Sequence, residues 1–229
     1  STPAYADGRL FTLGISGIVT AFDAETGRQI WQRPAGPVEP MYHTGQSPFV
    51  DEDQVILHVG GHDAGALTAF DVATGDVRWS WDGDGPAYGS PIVAEMAGVR
   101  QIITYTQENF VGVSAETGEL LWRRPYTTPS TTTSQTPHVY EGDLIESGRG
   151  NGITRFRVVR EANAWTTENV WHTDEVSLHM TNAVVVDGVM FGLSHLNRGQ
   201  YFGLDLDTGE VLWTSDPRQA ANAAILNVG

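Results

Sequence analysis

The chain contains no cysteine and no lysine, so all thirteen of its basic residues are arginine. The first absence removes thiol nucleophiles, disulfides and cysteine-ligated zinc or iron–sulfur centres; the second removes Schiff-base chemistry. Lack of cysteine assigns no compartment, because oxidising and reducing locations both tolerate it. Positive charge is scarce, and the net charge of −15 has the wrong sign for nucleic acid or anionic lipid. The longest apolar runs, such as "NAVVVDGVMFGL", are broken by Asn, Asp and Gly, so no transmembrane segment is expected. The opening "STPAYADGRL" lacks the basic stretch and apolar core of a signal peptide, as a mature or trimmed chain would. There is no G-x-S-x-G elbow, phosphate loop or H-E-x-x-H, and "GRGNG" is too short for a dinucleotide fingerprint.

What is present is a repeat. "AFDAETGRQIW" (21–31), "AFDVATGDVRW" (69–79), "GVSAETGELLW" (112–122) and "GLDLDTGEVLW" (203–213) align, and a degenerate copy ends at Trp171. Upstream of each stands a second landmark: "STPAYADG", "QSPFVDED", "GSPIVAEM", "QTPHVYEG" and "TNAVVVDG". The first unit parses into four short strands, at about 4–5, 10–13, 18–22 and 29–32, separated by Gly- and Asp-rich turns. Four-stranded antiparallel sheets recurring every ~40–50 residues predict an all-β fold, a β-propeller. Blades are expected at about 1–40, 41–83, 84–128, 129–175 and 176–217, with 218–229 opening a further blade. Five blades plus one strand suggest part of a larger ring, open to self-association or completion by further blades.

The motif residues have structural work to do. Asp23, Asp71 and Asp205 are expected to accept hydrogen bonds from turn amides. Gly27, Gly75, Gly118 and Gly209 supply the positive φ of a short hairpin loop. Trp31, Trp79, Trp122, Trp171 and Trp213 end the outer strands, where a large ring can fill the wedge between blades.

The pattern A-x-D-x-x-T-G-x-x-x-W resembles the tryptophan-docking motif of the quinoprotein-type, or PQQ-like, β-propellers. That superfamily includes pyrroloquinoline quinone (PQQ) alcohol dehydrogenases and the scaffolding propeller of the bacterial outer-membrane assembly machine. The first two copies match fully; the third has Ser114 for Asp, the fourth keeps little beyond Trp171, and the fifth has Gly203 for Ala. For redox members the resemblance implies a quinone between a tryptophan and a disulfide of adjacent cysteines, calcium held by Glu, Asn and Asp, and a catalytic Asp. The disulfide face cannot exist in this chain. No stretch places the calcium ligands or the catalytic Asp residue by residue, so no catalytic, cofactor-binding or metal-ligating residue is carried over, and PQQ and calcium are implied by resemblance only.

Propeller topology gathers the loops leading into each blade with those joining its second and third strands. The polar loops "MYHTGQ", "HVGGHDAGA", "SGRGNG", "EVSLHM" and "SHLNRGQ" place His43, His62, Asp63, Arg149, Asn151, His179, His195 and Arg198 around the channel mouth. These are the candidates for contacting a protein partner or small ligand; the alternative is ordinary loop polarity. His62, Asp63 and His195 are a weaker candidate metal set, and His58 and His62 are expected to point apart. The sequence favours a non-catalytic binding or scaffolding module, periplasmic or secreted in a bacterium by resemblance. The alternative is a PQQ-dependent dehydrogenase or a fragment of one.

Overall fold

Apolar and polar residues alternate between Gly/Asp turns along the chain, and each such run forms a short strand. The computed structural model describes residues 1–36, 38–129, 132–162 and 164–228, arranged as two units, 1–127 and 128–229. The first unit contains three antiparallel four-stranded meanders. They are β1 (Ala4–Ala6), β2 (Arg9–Leu13), β3 (Val19–Asp23) and β4 (Gln29–Arg33); β5 (Phe49–Asp51), β6 (Gln54–Gly61), β7 (Ala64–Asp71) and β8 (Val77–Trp81); and β9 (Ile92–Met96), β10 (Val99–Tyr105), β11 (Asn109–Ser114) and β12 (Leu120–Pro125). The second unit contains β13 (His138–Tyr140), β14 (Asp143–Ser147), β15 (Ile153–Glu161) and β16 (Ala164–Thr173), then β17 (Val184–Val186), β18 (Val189–Ser194), β19 (Gln200–Asp205) and β20 (Val211–Thr214). These five sheets are the blades of an all-β propeller.

Strand β6 shows how one blade serves two neighbours. Val55 and Leu57 pack with Phe11, Leu13 and Trp31 of the first blade, while Ile56 packs with Ile102 and Val113 of the third. Both faces are buried, which is why "VILHV" reads as a continuous apolar run.

Each blade carries a register shift between its third and fourth strands, after Ala21, Ala69, Gly112, Arg155 and Gly203. The extra residue is the one before each closing tryptophan, and the bulge bends the outer strand there. Trp31 pairs with Ala21 across the sheet, and its indole N–H donates to Val72 O in the next blade at 3.1 Å. Trp79 repeats the contact with Ala115 O at 3.1 Å, and Trp171 with Leu206 O at 2.9 Å. The ring lies over a glycine of the following blade: a Cβ added to Gly75 would stand 2.6 Å from Trp31, and one added to Gly118 2.5 Å from Trp79. Among the described residues nothing lies within 4 Å of a Cβ on Gly27, and Trp213 is 46% exposed.

The turns close through the motif carboxylates. Asp23 Oδ1 accepts Thr26 N–H at 2.8 Å, and Asp205 Oδ1 accepts Asp207 and Thr208 N–H at 2.9 and 2.8 Å. Asp71 accepts Ala73 and Thr74 N–H and also Arg78; the guanidinium first, then the amides, holds its carboxyl down to about 2. Ser114 substitutes its hydroxyl, accepting Thr117 N–H at 3.2 Å.

The fourth blade departs from the pattern at its centre. Arg155 stands where other blades have Ala or Gly, opposite Trp171. Its guanidinium donates to buried Asp143 at 2.7 Å and to Leu206 O at 2.9 Å, and Arg157 donates to the other Asp143 oxygen at 2.8 Å. A charged group thus joins Trp171 in bonding to the next blade, satisfied on both sides as a buried ion must be. The β15–β16 hairpin is also longer than its counterparts, at nine and ten residues, and carries Arg160 over Trp165 at 5.2 Å.

Residues 218–228 take no strand, because pairing defines a strand and this segment instead follows the loops of the fifth blade. Arg218 N–H donates to Asn197 O, Gln219 N–H to Gly199 O and Ala223 N–H to the Thr181 hydroxyl.

Candidate functional site

In the second unit three loops are tied together by three buried serines. Ser147 ends β14, Ser194 ends β18 and Ser177 lies in the loop leading into the fifth blade; all are at most 3% exposed. Ser177 Oγ donates to Gly148 O at 2.8 Å, Ser147 Oγ accepts Leu178 N–H at 3.1 Å, and Ser194 Oγ accepts Ser177 N–H at 3.0 Å. His195 N–H completes the set by donating to Ser177 O at 2.9 Å. Loops pinned through buried, satisfied polar groups present their remaining side chains in fixed positions.

Four of those side chains line one cleft of about 320 Å³: Arg149, His179, His195 and Arg198, with Gly199, Ala220 and Ala221 beside them. The histidine rings are half-buried and stand edge to face, 5.9 Å between centroids. Gly150 N–H donates to His195 Nε2 at 3.1 Å, which leaves the ring proton on Nδ1. Burial first, and the Arg149 charge second, hold both imidazoles below their ordinary value, so they are neutral near pH 7. The two arginines are exposed at the rim. Arg198 sits at φ 67° and follows Asn197 at φ 51°, two successive non-glycine residues in the left-handed region. Asparagine tolerates this region, but Arg198 there costs roughly 1–2 kcal/mol, a strain that clusters at binding loops.

The remaining candidates are placed elsewhere. Asn151 N–H closes a turn on Gly148 O and does not line the cleft. His43 is exposed in a left-handed turn. His62 and Asp63 form the turn between β6 and β7, with His62 Nε2 3.7 Å from Asp63 Oδ1. "HVGGHDAGA" is therefore mostly strand, with only these two residues in the turn. The Asp63 carboxylate accepts the Gln107 side-chain amide, and Asp84 accepts Thr106, Asn109 and the Gln107 backbone, so these loops are closed by their own bonds. His58, inside β6, is buried and donates through Nε2 to Asp84 O at 2.8 Å. A larger cleft of about 540 Å³ opens at the β5–β6 and β9–β10 turns. Its Arg78 is paired with Asp53 and Asp71, and its Arg100 with Asp51, so its cationic groups are paired within the protein.

The serine network was not legible from sequence, since loop serines are common. A retrospective signal exists: Ser147, Ser177 and Ser194 each stand one or two residues before a candidate, in "SGR", "SLH" and "SH".

Repeated four-stranded blades with tryptophans seated on the next blade's turn define a propeller of the PQQ-like class. The chain belongs to the family described as outer membrane protein assembly factor BamB, whose profile matches residues 1–215. It is 26% identical over 225 residues to that assembly factor from Yersinia pestis, covering 92% of this chain and 55% of the relative. It thus spans about half the length of this curated relative. A shorter stretch of 86 residues is 31% identical to a lanthanide-dependent methanol dehydrogenase of Methylacidiphilum fumariolicum, covering 36% of this chain and 14% of the enzyme. The crystal structure of BamB from Moraxella catarrhalis superposes with a TM-score of 0.70 at 19% identity, over 96% of this chain and 65% of that one, a likeness of fold.

Among the described residues no three His, Asp or Glu side chains converge to hold a cation. With no cysteine, the chain also does not supply the disulfide face that the resemblance implies. No helix among the described residues is long and apolar enough to cross a membrane.

Proposed function

We propose that this chain is a non-catalytic binding or scaffolding propeller that engages a protein partner through its loops. By likeness to its family, it works in outer-membrane protein assembly in the bacterial periplasm. The observation that carries this reading is the serine-pinned loop set, which presents Arg149 and Arg198 without acidic partners while other clustered arginines are internally paired. The proposal includes the blades of residues 1–217 as part of a seven- or eight-bladed ring. A photo-crosslinking residue at position 149 or 198, in the protein expressed in a bacterial envelope, should trap a discrete protein; one at Glu116 should not. Equal trapping at all three positions, or none, removes the loop-face reading.

The dehydrogenase alternative rests on the 86-residue likeness to a methanol dehydrogenase. Addition of PQQ and calcium to the protein, followed by dye-linked alcohol oxidation, tests it. Saturable turnover would displace the scaffold reading.

A further inference from the structure

The cleft of the fifth blade has the composition of an anion receptor in a chain of the opposite overall sign. Arg149 and Arg198 share its rim, and no carboxylate is among its lining residues. Among the described residues neither guanidinium makes a hydrogen bond or ion pair, whereas Arg33, Arg78, Arg100, Arg155 and Arg157 all have acidic partners. Arg198 also lines an adjoining recess with Arg218, so three of the chain's thirteen arginines gather here against a net charge of −15.

Holding cations together without a counter-charge is unfavourable, and this loop adds backbone strain to do so. Folding alone gives no reason for the arrangement. An anion drawn from solvent would neutralise both. The chemistry suits a planar, two-oxygen anion, because each guanidinium offers a fork of parallel N–H donors matching a carboxylate. The His195 ring supplies a further neutral donor at Nδ1, since its Nε2 is already occupied by Gly150 N–H. Gly199, Ala220 and Ala221 leave an apolar wall for short methylene segments. A volume of about 320 Å³ is at the lower end for small-molecule sites, enough for one or two carboxylate-bearing groups.

We propose that the Arg149–Arg198 cleft is a receptor for carboxylate groups, supplied by a free dicarboxylate or by acidic side chains on the protein partner. The second source rests on the scaffold reading above; the first does not.

The test is an NMR titration of the histidine ring resonances at low ionic strength. The probes are succinate, an acetylated Glu-Glu amide peptide and inorganic phosphate. Saturable shifts at His179 and His195 are expected with succinate, the peptide or both. Arg149→Gln or Arg198→Gln should weaken binding about tenfold or more, the loss of a charge-assisted hydrogen bond. Arg28→Gln, an exposed site in the other unit with the same change of charge, should leave binding within about twofold. Unshifted His138 and His172 resonances in the variants report an intact second unit.

Tighter binding of the peptide assigns the source to a partner, and tighter binding of succinate assigns it to a free metabolite. No saturable shift with either overturns the proposal, as does equal weakening by Arg28→Gln or phosphate binding more tightly than both. Carboxylate binding without any crosslinked partner leaves the receptor standing and removes the scaffold reading. Crosslinking without carboxylate binding does the reverse.

Discussion

Two alanine substitutions in the same turn type separate the cost of the turn from the cost of the inter-blade contact. Gly27 and Gly75 occupy equivalent places, at φ 68° and 73°, so an alanine at either pays a left-handed penalty of roughly 1–2 kcal/mol. They differ in what a Cβ would meet: nothing within 4 Å at Gly27, and the Trp31 ring at 2.6 Å at Gly75. That ring is 7% exposed, packs with Phe11 and Phe70 at 5.9 and 6.4 Å, and donates to Val72 O, so it has little room to retreat. Overpacking of this kind adds about 1–3 kcal/mol. Gly27→Ala should therefore lose about 1–2 kcal/mol in urea unfolding, and Gly75→Ala about 2–5 kcal/mol. Trp31→Ala alone should cost about 3–5 kcal/mol. In the double variant Trp31→Ala/Gly75→Ala the clash is gone, so its loss should fall short of the sum by about 1–3 kcal/mol. Equal losses at Gly27 and Gly75, with an additive double variant, would refute the idea that the ring rests on the glycine.

Protonation of His58 is a second lever. Burial holds its imidazole down to about 4 against an ordinary 6.5. The lowered folded value means its contribution is complete above pH 6.5 and is lost as pH falls toward 4, in total about 3 kcal/mol. The urea midpoint should drop over that window, with His138 acting in the same direction, and His58→Gln should flatten the slope; an unchanged slope refutes the assignment. Asp143→Ala strands the buried Arg155 guanidinium and should cost about 3–5 kcal/mol by thermal or urea unfolding. Ser177→Ala removes the hydroxyl bond to Gly148 O, so protection of the Leu178 and Asn151 amides from hydrogen exchange should fall while that of β6 holds.

The blade count and strand order were readable because each unit repeats two landmarks and the turn chemistry is local. Local rules failed where long-range contacts decide. "HVGGHDAGA" has the glycine content of a loop, yet β6 and β7 run through it. Gly60 and Gly61 are there for close approach: a Cβ on Gly60 would lie 2.6 Å from Ala64 O, and one on Gly61 2.4 Å from Val38 O. Arg155 disguised the fourth copy, since a charged residue at the Ala position makes sense only with Asp143 and Leu206 in view. At the candidate site, topology named Arg149, His179, His195 and Arg198, but their grouping depends on hydrogen bonds among serines far apart in sequence.

The tryptophan contacts also bear on how the chain reaches this structure. Trp31 to Val72, Trp79 to Ala115 and Trp171 to Leu206 span 41, 36 and 35 residues. In these three blades the last strand is secured by the very next segment to emerge, and none of these contacts requires the ends of the chain to meet. All-β proteins fold slowly when their pairings are distant in sequence, because loop closure must precede contact. Here the search is divided into short steps of similar length. Within each unit, assembly can start at an adjacent pair of blades and spread outward, in the manner of a one-dimensional array.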